Sequence, residues 1–265
     1  MIPKPAHLTA DNAARFQDES VVGLYYLRLP YPPEVFDILT GLIADEPRVV
    51  LDVGTGSGPL ARGLAPFVDR VDAVDISAAM IAKGKTLPGG DHPRLHWIEG
   101  AVEDAPLRPP YALIVAGDSI HWTVWDIVFP RFADLLTAHG LVAIVERTEL
   151  ALPWQEGLDG LIRRYSTMRN YEPFDLIDEL ERRQLFRVVG RRETAPTVSR
   201  QSVDDYIASF HSRSSLSRDH MPPADADAFD QRLHDLVRPW ATEDMLEIHT
   251  VGSVVWGTPR RGTSA

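Results

Sequence analysis

"VVLDVGTGSG", residues 49–58, decides how this chain is read. An apolar run ends in an acid, Asp52, and three glycines then alternate with small residues. The run is short enough for a buried strand. Glycine at alternate positions suits a turn that must tighten while something lies against its backbone.

The flanking sequence repeats the strand signal. "RVVLDV" (48–53), "RVDAVDI" (70–76), "RLHWIEG" (94–100) and "YALIVAG" (111–117) are each followed by a turn or a helical segment. "GLVAIVERT" (140–148) comes after the helix "DIVFPRFADLLTAH". Strands alternating with helices of this length predict right-handed βαβ units in a parallel sheet. Upstream, "YPPEVFDILTGLIADEP" opens with two prolines and carries Val35, Ile38, Leu39 and Leu42 at helical spacing. Residues 1–20 are polar and are expected to be partly loose. Beyond residue 150, "LDGLIRRYSTMRN", "FDLIDELERRQ", "VDDYIASFHS" and "ADAFDQRLHDLVRPW" read as helices. "FRVVGRRETA" reads as a sixth strand and "DMLEIHTVGSVVWGTP" as a long, closing antiparallel one. The expectation is an α/β fold with a seven-stranded, mostly parallel sheet and a helical insert after the fifth strand. Within one domain, residues 1–45 form an N-terminal lid and first helix, and 46–150 the ligand-binding core. Residues 151–240 form the insert with the sixth strand, and 241–265 the closing strand and a polar tail. Insert and N-terminal segment are expected to cover the mouth of the sheet.

Composition sets the outer bounds. A chain of 265 residues suits one large α/β domain, or one domain with an added cap. It has no apolar run long enough to span a bilayer. "MIPKPAHLTADNAARF" lacks the basic start and apolar centre of a signal peptide, so a cytoplasmic protein with no membrane partner is expected. The absence of cysteine excludes disulfides, thiolate metal sites and a cysteine nucleophile. With 38 acids against 27 Lys and Arg, the net charge of −11 repels phosphate backbones and disfavours nucleic acid. A monomer and a homodimer are both compatible with the composition.

In an open parallel sheet, a ligand sits beyond the carboxyl ends of the strands where strand order reverses, which places it at this glycine turn. A phosphate-cradling P-loop needs a Lys-Ser/Thr pair after the last glycine, and Pro59-Leu60 stands there instead. The dinucleotide pattern G-x-G-x-x-G needs a glycine at the position of Pro59. An adenosyl ligand without a pyrophosphate needs only the close backbone approach. The next strand favours this third reading, because it ends at Asp75, about 20 residues on, where an acid accepts ribose hydroxyls. Asp75 as a plain cap for "SAAMIAKGK" is the alternative, although Ser77 can fill that role.

With these pieces together the chain resembles class I S-adenosylmethionine-dependent methyltransferases, "VLDVGTGSG" matching their first motif and "VDAVDIS" their second. "YYLRLPYPPEVFDIL" and "SIHW" are similar to small-molecule members of the ubiquinone-biosynthesis and trans-aconitate type. The resemblance covers residues 15–148 well and the remainder loosely. It implies a Rossmann-like sheet, S-adenosyl-L-methionine as methyl donor with S-adenosyl-L-homocysteine as product, and a small-molecule acceptor. Carried over residue by residue, it sets Gly54, Thr55, Gly56 and Ser57 against the methionine part and Asp52 near its ammonium. Asp75 falls on the ribose, and Ile76 and Met80 on the adenine. Ala101 occupies the position where the family has an Asp near the adenine amine, so Val102 contacts the ring through backbone and Glu103 or Asp104 compensates. Tyr25 and Arg28 match a Tyr-x-x-Arg that clamps the donor carboxylate, the alternative for Arg28 being a surface ion pair. Asp118, Ser119 and Trp122 line the donor pocket.

His121, directly after the fourth strand, is the candidate for a base or polar orienter, with a packing role beside Trp122 as the alternative. Trp125, Trp154, Tyr165 and Tyr171 form either an acceptor wall or core, and Arg163 or Arg164 offers a guanidinium to an acceptor carboxylate. "PPY" at 109–111 precedes the fourth strand, unlike the motif of amino-methylating DNA enzymes. Asp118 and Glu146 are too few for a catechol-type metal site, so no metal is expected. The rival readings are an NAD(P)-dependent oxidoreductase and a non-catalytic regulatory protein of the same fold.

Overall fold

The computed structural model describes residues 4–150 and 152–260. Five strands, β1 (Val49–Val53), β2 (Arg70–Asp75), β3 (Leu95–Glu99), β4 (Tyr111–Gly117) and β5 (Leu136–Leu150), pair in parallel. β6 (Phe186–Glu193) and β7 (Thr197–Ser202) both run antiparallel to β8 (Met245–Pro259), which is antiparallel to β5. The path is β3-β2-β1-β4-β5-β8-β6, with β7 beside the first half of β8. Strand order therefore reverses between β1 and β4, and the crevice beyond their carboxyl ends is where such a sheet takes a ligand.

All five residues of β1 are buried, as a parallel strand covered on both faces requires. Val50 faces one apolar cluster with α3 (Pro33–Gly41) and α4 (Pro59–Leu64). Leu51 and Val53 face the other, with α6 (Trp125–Leu135) and α8 (Leu176–Arg182). The remaining helices of the insert, α7 (Gln155–Tyr165), α9 (Val203–Phe210) and α10 (Pro223–Val237), pack with Leu246 and Ile248 of β8 in a third cluster. Trp154 and Tyr165 lie in that cluster, and Trp125 in the second, so these three aromatics are core. Among the described residues no helix is long and apolar enough to cross a membrane.

Three features depart from the expectation. The sheet has eight strands, because "TVSRQS" forms β7 along the part of β8 that runs past β6. β5 begins at Leu136 rather than Gly140, since Leu136 is already extended and pairs with Tyr111. The polar N-terminus is helical, with α1 (Ala10–Ala14) capped by the Thr9 hydroxyl on the Asn12 amide, and α2 at Glu19–Leu24. α5 (Ala78–Thr86) follows β2 and is capped by Ser77, as its sequence suggests.

Candidate functional site

At the end of β1 the chain turns through Gly54 and Gly56, with φ of +62° and +57°. A Cβ on Gly54 would lie 2.6 Å from the Ser119 Cβ, and one on Gly56 would lie 3.3 Å from the Tyr25 ring. The turn is thus held between the loop after β4 and the N-terminal segment, and only glycine fits. Asp75, closing β2, fastens it from a third side. Its Oδ2 accepts from the Gly56 amide at 2.7 Å and its Oδ1 from the Ser77 amide at 2.8 Å. Burial raises the Asp75 pKa, and the two amide bonds oppose that rise.

Around this turn lies a cavity of about 660 Å³. The expected sugar and ring contacts Asp75, Ile76, Met80, Ala101, Val102 and Glu103 stand on its wall, as do Tyr25, Gly54, Gly56, Asp118, Ser119 and Trp122. Ile76, Val124 and Ile127 are 44%, 48% and 51% exposed, an unusual state for large apolar groups facing a cleft, and they offer flat apolar cover to a ring. The charged residues on this wall are all carboxylates: Asp75, Glu103, Asp104 and Asp118. Asp118 takes a left-handed φ of +51°, which carries its carboxylate back to the Tyr31 hydroxyl, a donor at 2.9 Å.

Four expected contacts are placed elsewhere. Asp52, Thr55 and Ser57 lie beneath the turn, each less than 5% exposed. Asp52 Oδ2 accepts from the Thr55 hydroxyl at 2.5 Å and the Ala61 amide at 3.1 Å, so it braces the turn and the start of α4 from below. Its pKa is pushed up to about 7, by burial first and also by the Asp75 charge. Arg28 donates through Nε to Ser212 Oγ at 2.9 Å and through Nη2 to the Ser212 carbonyl at 2.7 Å, with its guanidinium over the Tyr25 ring. It ties the N-terminal segment to the insert and is absent from the cavity wall.

His121 is also outside this cavity. It sits in a 3-10 turn, Ile120–Trp122, and faces a second cavity of about 1230 Å³. Trp122 stands on the wall of both cavities and so marks their border. Burial, then Lys4, His7 and Arg28, depress the His121 pKa to about 4, so the imidazole is neutral at physiological pH. The turn itself is held by Lys4, whose Nζ donates to the carbonyls of His121 and Thr123 at 2.6 and 2.8 Å. The second cavity is bordered by His7, Glu146, Arg163, Tyr171 and Arg213. Arg164 is not on its wall. Ala10, Ala13 and Phe16 of the N-terminal segment also line the first cavity; sequence reasoning set that segment at the mouth of the sheet without naming these residues.

Residues 50–140 match a family described as "Methyltransferase domain". The malonyl-[acyl-carrier protein] O-methyltransferase of Halalkalibacterium halodurans is 36% identical over 84 residues, covering 29% of this chain and 31% of that protein. The match thus spans under a third of the curated relative. A solved protein of Anaeromyxobacter dehalogenans, described as a candidate type II methyltransferase, matches with a TM-score of 0.63 at 22% identity, over 88% of this chain and 99% of that one. A SAM-dependent methyltransferase of Thiobacillus denitrificans, solved with S-adenosyl-L-homocysteine, gives 0.51 at 15% identity over 91% and 97%. Residues 50–140 are thus similar to a methyltransferase domain, and the chain shares the Rossmann-like fold of these solved proteins.

Proposed function

We propose that this chain transfers a methyl group from S-adenosyl-L-methionine to a small organic acceptor, with the donor in the glycine-turn cavity and the acceptor beyond Trp122. The observation that carries this reading is the charge of the first cavity. Its wall bears four carboxylates and no Lys, Arg or His. A pyrophosphate would meet repulsion there, whereas a ligand bearing sulfonium and ammonium charge is drawn in. The residues present fit the adenosyl group: Asp75 for the sugar, the turn at Gly54 and Gly56 for close approach, and Ile76, Met80 and Ile127 for the ring. The similarity of residues 50–140 to a methyltransferase domain supports the same donor.

When bound, the donor supplies a methyl group already activated by its sulfonium. The protein's work is then placement and exclusion of water, and alignment alone contributes about 7–11 kcal/mol. Asp75, pinned by two amides, fixes the sugar without moving. Tyr31 holds Asp118 in place at the end of β4. Phe16 packs edge-on against Trp122 at 5.6 Å between centroids and holds that ring on the wall of the first cavity. Neutral His121 offers the acceptor a hydrogen-bonding wall. With a pKa near 4 it is a poor proton acceptor, and its role is orientation rather than general base. Melting curves test the reading: S-adenosylhomocysteine raises the melting temperature and NADH leaves it unchanged, whereas stabilisation by NADH alone supports the oxidoreductase instead.

A further inference from the structure

We infer that the acceptor is a small organic carboxylate and that Arg213 anchors it on the wall of the second cavity, an inference that rests on the methyltransferase reading above. Burial first, and then the Arg28 and Arg147 charges, lower the Arg213 pKa, while Glu149 raises it. Arg28 is engaged by Ser212 through two donors. Arg147 donates to the Leu29 carbonyl and lies 4.0 Å from Asp118 Oδ2. Arg213 differs from both. Among the described residues its guanidinium has no hydrogen-bond partner. Glu149 Oε1 stands 4.0 Å from its Nη2, beyond hydrogen-bond reach. The group stacks on the Phe210 ring at 4.4 Å, and the side chain remains 43% accessible.

A guanidinium carries five donors in a fixed fork, and those of Arg213 are left free by the fold for a ligand in this cavity. A carboxylate satisfies that fork with two parallel bonds. A phosphate dianion would call on the neighbouring guanidinium groups as well, and both are already engaged within the fold. Arg163, Arg169 and Arg191 also border the cavity, but on exposed positions of α7, the loop after it and β6, where water competes for them. The acids on this cavity set the orientation. The Glu146 carboxyl has no hydrogen-bond or ion-pair partner among the described residues, and burial, Asp118 and Asp175 raise its pKa. Asp159, Asp175 and Asp178 stand with it on the wall. An acceptor anion is repelled from those acids and attracted to Arg213. A hydroxyl or amino group elsewhere on the acceptor meets Glu146. The carboxylate is the handle in this arrangement, whatever atom receives the methyl.

The test uses the full chain, methyl-tritiated S-adenosylmethionine and a protein-free metabolite extract divided on a strong anion-exchange resin at alkaline pH. Label is expected to enter compounds of the retained fraction. Prior amidation of that fraction with a carbodiimide and an amine abolishes acceptance, while phosphatase treatment leaves it intact. Arg213→Gln raises the half-saturating amount of the fraction about tenfold or more, Arg213→Lys recovers part of the loss, and S-adenosylhomocysteine affinity stays as in the parent. The inference is overturned by label confined to the unretained fraction, by acceptance that survives amidation or is lost to phosphatase, or by unchanged half-saturation in Arg213→Gln. If S-adenosylhomocysteine binds and label enters only the unretained fraction, this inference alone fails, whereas label in neither fraction overturns the methyltransferase reading. If S-adenosylhomocysteine does not bind, the methyltransferase reading fails with it.

Discussion

The two cavities on either side of Trp122 are built by opposite means. The first is centred on strand ends and the turns that follow them, with the N-terminal segment closing it, and its charged wall residues are acids alone. The second is made from side chains that converge from the N-terminal segment, β5, β6, β8 and the insert, and it mixes acids with arginines. A ligand gripped by backbone turns needs a few small residues at fixed spacing. A ligand gripped by converging side chains leaves no local pattern. On the proposed function, that difference separates what would recognise the methyl donor from what would select the acceptor, and it is open to direct attack.

The largest effect is expected at Gly54. Alanine there must adopt a left-handed φ, at about 1–2 kcal/mol, and drive its Cβ into Ser119. Calorimetry of Gly54→Ala is expected to give S-adenosylhomocysteine binding weaker by about a hundredfold or more, overpacking adding to the backbone strain. Asp75→Ala comes next. Losing the carboxyl that accepts from two amides and is placed to accept the sugar hydroxyls should weaken the same binding at least about tenfold. Unchanged affinity would remove the sugar assignment and, with it, the contrast between the cavities.

Asp52 tests the claim that some acids of the glycine motif brace rather than bind. Its pKa near 7 in the folded chain exceeds the ordinary 3.8, so between those pH values the folded state holds a proton that the unfolded state releases. Its contribution to stability is therefore greatest at low pH and declines as pH rises through that window, by up to about 1.4 kcal/mol per pH unit. Urea melts of Asp52→Asn, which keeps an acceptor for Thr55 and Ala61, should show a flatter decline than the parent between pH 4 and 7. Equal slopes would mean that the carboxyl is ionised in the fold. The smallest effect is expected at His121. His121→Ala should leave S-adenosylhomocysteine affinity within about twofold, because the ring faces the second cavity. NMR titration of the parent should find the ring neutral until pH approaches 4, and protonation near 6.5 would restore the general-base role.

Legibility followed the same divide. The five parallel strands, the turn and Asp75 were readable because periodicity and glycine spacing act over a few adjacent residues. β7 was not, since "TVSRQS" is polar and its one aliphatic side chain, Val198, is 55% exposed. The partner that makes it a strand is the early half of β8, whose buried Leu246, Ile248 and Thr250 supply the apolar alternation instead. Arg28 sits in a matching local motif yet turns to Ser212, an acceptor that lies far along the chain and carries no signal near Arg28. Lys4 clasping the His121 turn, and Glu146 and Arg213 facing one cavity, are equally products of tertiary convergence.

Crystals soaked with S-adenosyl-L-homocysteine give the most direct measurement. One molecule per chain is expected in the acidic cavity, with its sugar hydroxyls on Asp75, its ring beside Ile76 and Met80, and its sulfur toward Trp122. Density in the second cavity instead, or a sugar placed away from Asp75, would contradict it.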